Sequence, residues 1–301
     1  MSLADTLTPL DIFDPSSYPT RRDEEWKYSD LSRVLRVVPA ADDTSRTSDS
    51  LHVPAGETVV RFDVYGDGAA VVQDELTIKL GEGARLTRIV ILDEPEDAVS
   101  IRRSTVETAP GSVFKQYVFS TGAKFQRFET HVAHAGHGAE VEMHGAYLLK
   151  GKRHFDLTTR VTHAAIDGVT NQLIKGLVKD SATGVFQGRI LVERGADGTD
   201  ARMRHQALML NDGAHIRAKP ELEIYADDVQ CAHGNTIGAL DAEALFFCQS
   251  RGMSEDQARA LLTHAFVMPV AELIEDEQLR AAVLEFLEKQ ADALQGTIDA
   301  V

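Results

Sequence analysis

Between Leu51 and Asn235, short runs of Val, Ile, Leu, Phe and Thr alternate with turns rich in Gly and Asp. Such runs predict β-strands. The turns recur. Gly56-Glu57, Gly83-Ala84, Gly111-Ser112, Gly138-Ala139, Gly168-Val169 and Gly195-Ala196 each precede a strand-like run, at intervals of 27, 28, 27, 30 and 27 residues. A steady period in that range predicts a solenoid. One period is too short to bury its own apolar face, but stacked coils share a core. A parallel β-helix meets both demands, because the strands of each coil pair with those of the next. A sandwich would space its strands irregularly.

The flanks follow other patterns. Residues 1–50 predict a short arm punctuated by Asp5, Pro9, Pro15 and Pro19, with Thr44 to Ser50 polar and linker-like. Its compact piece, Glu24 to Leu31, holds the one tryptophan, Trp26, and predicts a one- or two-turn helix anchored on a core. After residue 240 the period becomes helical. Asp241 is a good N-cap, Gly252 a helix stop, and Ser254-Glu255-Asp256-Gln257 has capping-box spacing. Leu261, Leu262, Ala265 and Phe266 predict one apolar helix face, which Pro269 interrupts. A last helix, 276–294, carries Leu279, Val283, Leu284, Phe286 and Leu287 on its apolar side. The expected fold is mainly β: an arm over 1–50, a parallel β-helix over 51–238 and a helical domain over 239–301. The helices are expected to cover an open end of the solenoid.

Composition narrows the function. The chain has 301 residues, 47 acidic against 31 basic, and a net charge of −16. Such a surface repels phosphate backbones, and no basic patch offsets it, which disfavours nucleic acid. No apolar run approaches the ~20 residues of a membrane span. The acidic N-terminus lacks the basic region and apolar core of a secretion signal, and Arg21-Arg22 is followed by acids. With two cysteines, Cys231 and Cys248, the chain is expected to be cytoplasmic and free of a disulfide scaffold.

Three constellations bear on chemistry. GAYLLKGK at 145–152, GEGARL at 81 and GHGAEV at 136 all miss the spacing of nucleotide-binding loops and read as turns, so the chain itself is expected to hydrolyse no nucleotide. The histidines His131, His134, His137, His144, His154 and His163 sit in a glycine-interrupted stretch; on a strand, His131 and His134 would face opposite sides. A zinc site there stands against solvated or core histidines. The sharpest is Cys231-Ala232-His233-Gly234-Asn235. If extended, Cys231 and His233 share a face, and Gly234-Asn235 reads as a turn ending the strand. Thiolate plus imidazole suits iron or zinc, but two ligands leave a site incomplete, so either a second chain completes it or the pair is packing. Cys248, between Phe247 and Gln249 on a helix, reads as core.

Several ordered motifs resemble one family. They are Arg21-Arg22-Asp23-Glu24-Glu25-Trp26-Lys27-Tyr28-Ser29-Asp30-Leu31, Val185 to Val192, Lys219 to Val229, Cys231 to Gly238, and Leu245 to Met253 followed by Ala258 to Leu262. Together they span about residues 20–268 and resemble the SufB/SufD family of iron–sulfur cluster assembly proteins, whose members carry a longer N-terminal helical region. The resemblance implies a right-handed parallel β-helix with helical ends. It implies a non-catalytic scaffold that works with SufB, a paralogue, and SufC, an ABC-type ATPase, and hands clusters to apo iron–sulfur proteins. Carried over, His233 becomes the leading ligand for a transient cluster shared with SufB, with Cys231 beside it, and no cofactor is expected in the isolated chain. SufC would dock on Asp241 to Leu294, with Leu261, Leu262 and Phe266 as the apolar face. A homodimer through the open solenoid end is expected when SufB is absent. Two enzymes compete with this reading. One acts on acidic polysaccharide, which the charge would repel. The other is a metal-dependent hydratase that needs His131, His134 and His163 to converge.

Overall fold

The computed structural model of the protein describes residues 10–36, 38, 40–66 and 68–295. Residues 1–9, on which the reading of the N-terminus partly rests, and 296–301 lie outside them. Fourteen strands are present among the described residues. They are β1 (Thr44–Val53), β2 (Thr58–Tyr65), β3 (Val71–Leu80), β4 (Arg85–Leu92), β5 (Val99–Glu107), β6 (Val113–Ser120) and β7 (Phe125–His134), then β8 (Glu140–Leu149), β9 (His154–His163), β10 (Val169–Val178), β11 (Thr183–Val192), β12 (Thr199–Met209), β13 (His215–Ile224) and β14 (Val229–Gly238). Odd strands form one seven-stranded sheet and even strands another, each in sequence order. Every pairing between these strands is parallel: Thr44 lies opposite Val71, Val71 opposite Val99, and Thr183 opposite His215. This is a parallel β-solenoid of seven coils, the fold class the turn spacing predicts.

The turns explain the spacing. Gly56, Gly83, Gly111, Gly138 and Gly195 adopt left-handed φ between 62° and 83°, which costs glycine little. At the remaining repeat the left-handed residue is Asp167, φ 56°. Gly168 is required there for another reason: a Cβ would lie 2.7 Å from both the His134 and His163 rings. The interior is mainly apolar, from Val53 through Phe114, Phe128, Phe155 and Phe186 to Ile216, and a mostly buried polar row of Asp63, Arg88, Gln116 and Thr130 runs through it.

Two local readings change. Thr44–Ser50 is the first strand rather than a linker. Among the described residues no coil lies outside it, which suits its polar side chains, while its backbone pairs with β3 along its whole length. Gly145 sits inside β8, where a Cβ would strike the Val118 carbonyl, so GAYLLKGK is strand before it is turn.

Both outer faces are covered over part of their length. The arm, residues 10–36, lies on the odd sheet: Ile12, Tyr18, Trp26 and Leu31 pack on Val71, Val99, Ile101 and Phe125. Trp26 sits in a 3-10 turn, Glu24–Trp26, is fully buried and stacks on Phe125 with centroids 6.5 Å apart. A short helix, α1 (Leu31–Val34), follows. At the other end of the chain, α2 (Ala242–Ser250) is capped by the Asp241 carboxylate, and α3 (Glu255–Val267) carries the complete capping box of Ser254 and Gln257. A 3-10 segment, Met268–Leu273, leads into α4 (Glu277–Gln295). Cys248 is buried. These helices do not cover an end of the solenoid. Val267, Val270, Ile274, Val283 and Leu287 lie along the even sheet, on Ile89, Tyr117, Phe119, Leu148 and Leu177. Those five outward apolar side chains would otherwise face water, at ~25 cal/mol per Å². No described helix is long and apolar enough to cross a membrane.

Candidate functional site

Because the helices lie along the side, the last coil is open. β13 pairs with β11 and β14 with β12, and among the described residues nothing pairs with their far edges. β14 therefore shows its inward face to solvent. Ala201, Met203, His205 and Ala207 of β12 stand opposite Cys231, His233, Asn235 and Ile237 of β14. Ala201, Met203 and Ala207 belong to the interior, which fixes the same inward side for their partners. Cys231 and His233 thus share a face, two residues apart. They lie in the first half of a strand that continues through Gly234-Asn235 to Gly238, so that dipeptide is not a turn. The β12 ladder supplies pairing that overrides the local turn preference of Gly-Asn.

The two candidates differ in surroundings. Cys231 is half-buried against the core. Burial pushes its thiol pKa up, the Ala201 backbone hydrogen bond opposes this, and Asp200 adds to it. Ligating a metal would therefore release its proton. His233 is exposed, and its imidazole makes no hydrogen bond with a described residue. Ile224, Tyr225 and Ile237 are exposed apolar groups around the same open end.

A polar chain behind this strand was not anticipated. The Tyr147 hydroxyl lies 2.8 Å from His205 Nε2, and His205 Nδ1 lies 2.7 Å from Asn235 Oδ1. A neutral imidazole serves both: Nδ1–H donates to Asn235 and Nε2 accepts from Tyr147. Burial holds the His205 pKa down at about 4, against the Asn235 hydrogen bond. The signal in the sequence is the 30-residue coil step from His205 to Asn235, visible once the period is applied to polar as well as glycine positions.

The histidine cluster does not assemble a metal site. His134 and His163 point inward and stack with centroids 4.4 Å apart. His131 is on the opposite side of β7, its Nε2 3.3 Å from Glu129. The three do not converge. Among the described residues no group of three or more His, Cys, Asp and Glu side chains could hold a metal ion. Cys231 and His233 have no third His, Cys, Asp or Glu grouped with them among the described residues.

The apolar face read on α3 divides. Leu261 is 47% exposed and Leu262 half-buried. Phe266 instead packs toward the solenoid, with the Lys175 ammonium 4.6 Å from its ring centroid and donating to its carbonyl at 2.7 Å. The largest exposed apolar groups on the helices are Phe246 and Phe247 of α2, at 71% and 58%.

The family model for the SUF system FeS cluster assembly, SufBD core domain, matches residues 52–266. An iron–sulfur cluster assembly SufBD family protein of Synechocystis is 32% identical over 65% of this chain and 44% of its own length. One from Mycobacterium leprae is 29% identical over 78% of the chain and 62% of its own. The iron–sulfur cluster assembly protein SufD of Escherichia coli is 29% identical over 69% and 49%. The chain spans about half the length of these curated relatives.

Proposed function

The chain belongs to the SufB/SufD family of the SUF iron–sulfur cluster assembly system, and on that premise we propose that it is a non-catalytic scaffold subunit that builds and passes on nascent clusters. The observation that carries this is the open last coil, where Cys231 and His233 share the inward face of an edge strand that no further coil covers among the described residues. Cluster iron prefers thiolate and imidazole donors. Two donors do not hold a cluster, so a second chain supplies the rest, and the unpaired edges of β13 and β14 are where it docks. That chain is SufB in this reading, and a second copy of the same chain when SufB is absent. The cluster is cargo, shared across the joint and passed to apo iron–sulfur proteins in the cytoplasm.

The sequence carries no P-loop, so the energy of ATP comes from a partner, SufC. Leu261, with Phe246 and Phe247, supports docking on the α2–α3 surface. Leu262 and Phe266 contribute less directly, since Phe266 is engaged with Lys175. Dimerisation of SufC would pull on these helices and open the joint at β14, exposing Cys231 and His233 to iron and sulfide.

The test is anaerobic cluster assembly on the chain co-expressed with SufB and SufC, wild type beside His233→Ala. Iron, sulfide and the visible absorbance are read on the purified complex. The expected result is an intact complex with less cluster in the variant. An unchanged cluster content would leave the pair as packing and remove His233 from the joint.

A further inference from the structure

A second polar concentration lies between the arm and the odd sheet, whereas Cys231 and His233 stand on the even sheet. A cavity of about 230 Å³ opens there, roofed by Glu24 and Glu25 of the 3-10 turn and floored by β9, β11 and β13. One row of the floor is unusual. His131, Arg160, Arg189 and Glu221 stand directly opposite one another on successive strands. Two guanidinium groups thus occupy adjacent rungs, where strands are ~4.8 Å apart and like charges repel.

The carboxylates present use only part of the donors those groups carry. Arg160 bonds Glu25 through one terminal nitrogen at 3.1 Å, and Arg189 bonds Glu223 through one at 2.6 Å. The Nε atoms of both, and Nδ1 of His131, are buried without a partner. An arginine has five N–H donors in a fork that matches a carboxylate, and a single contact leaves that capacity open. Lys219 takes Glu24 at 2.6 Å and Glu221 at 3.2 Å. The cavity therefore carries three cations and four carboxylates. A simple dianion would face those four carboxylates, and a simple cation would face the guanidinium pair. A molecule with one group of each sign meets neither penalty. The volume, below the ~300 Å³ at which drug-sized sites begin, limits it to a small metabolite.

We propose that this cavity binds a small zwitterion of the α-amino acid class, its carboxylate on Arg160 and Arg189 and its ammonium among the carboxylates of Glu25 and Glu223. Because Glu24 and Glu25 form the roof, an occupant ties the arm to the sheet.

The test is isothermal titration calorimetry on the full chain with glycine, L-alanine, L-serine and L-glutamate, beside propionate and ethylamine, which each carry one charge. At least one amino acid binds at one site per chain, and propionate and ethylamine bind at least about tenfold more weakly, the order one charge-assisted hydrogen bond supplies. Arg189→Gln, at a half-exposed position that leaves the fold intact, weakens that binding about tenfold or more. His233→Ala leaves it unchanged. Silence from all four amino acids overturns the proposal, as does propionate binding as tightly as they do. So does loss of binding in His233→Ala, which would move the ligand to the open coil. None of these outcomes depends on cluster assembly, so this inference and the scaffold reading stand or fall separately.

Discussion

The two covered faces of the solenoid are held by different forces. Under the helices, the contact is apolar: Leu287, Val283 and Ile274 against Leu148, Leu177 and Ile89, all close to fully buried. Under the arm, Trp26 and Leu31 are surrounded by buried charge. Arg127, buried completely, lies with its guanidinium 4.1 Å from the Trp26 ring and bonds both Glu129 and Asp156. Glu129 also takes Arg103 at 2.8 Å. Burial alone would raise the Glu129 pKa, but Arg127 and Arg103 hold it well below the ordinary range. Asp156 further accepts from Ser29 of the arm, Thr158 and Gln187. Apolar contact tolerates small shifts, whereas a buried charge network fixes one docked position and tolerates the loss of no member.

Removing one member from each face should separate them. Asp156→Ala leaves Arg127 and Arg103 to share the single carboxylate of Glu129, one buried negative charge short, and is expected to cost about 3–5 kcal/mol. Leu287→Ala leaves a cavity under α4 and is expected to cost about 2–5 kcal/mol. Chemical denaturation gives both totals. Hydrogen exchange gives the location: amides of 10–36 lose protection in the first variant and those of α4 in the second. If either variant loosened both faces together, the two would be one cooperative unit and the contrast would disappear.

Acid should act on the arm face with a smaller effect. His154 stacks on Phe125 with centroids 5.2 Å apart and lies 3.1 Å from the Ser29 hydroxyl. Burial depresses its pKa to about 4, with Arg127 adding to this and Asp156 opposing. An unfolded histidine takes up its proton near pH 6.5. The contribution is therefore complete above pH 6.5 and is lost progressively as pH falls toward 4. At pH 5 the loss amounts to about 2 kcal/mol. Inside the coils, His163 at about 3 and His205 at about 4 push in the same direction. His154→Phe, which keeps the stack, should flatten this part of the curve in a pH series of denaturation midpoints. An unaltered slope would assign the acid sensitivity to the interior pair alone.

The sequence was most legible where a residue has one physical use. Turn glycines every 27 to 30 residues, five of the six left-handed in the structure, have few explanations besides coil turns, so the solenoid could be read directly. The apolar side of α4 was equally plain, with Val283 and Leu287 buried as their spacing required. Charged residues on outward strand positions have two uses, solvent or a covering segment, and alternation cannot distinguish them. Arg127, Glu129 and Asp156 were invisible for that reason, and so was the docking surface of the arm. The placement of the helices failed on the same ambiguity: an apolar helix face says that something is covered, not whether it is an end or a side. At the open coil, strand parity gave the common face of Cys231 and His233. The length of β14 depended on its ladder with β12, which no local preference reports.

The smallest expected effect sharpens the difference between covered faces and the uncovered end. Met203 and His233 stand in register on adjacent strands, one fully buried and the other exposed. A residue kept for packing carries stability, whereas a residue kept for a partner carries little in the isolated chain. Met203→Ala is expected to cost about 2–5 kcal/mol. His233→Ala, with no hydrogen bond to a described residue, should stay within about 0.5 kcal/mol of wild type. For a chain of this size that is a shift of no more than about 2 °C in Tm. A loss near 2 kcal/mol in His233→Ala would show that the imidazole holds β14 to the solenoid, and its exposure at the open coil would then need no partner to explain it. A near-zero change leaves a strand whose inward side chain does nothing for its own fold, as expected of a surface completed by another chain.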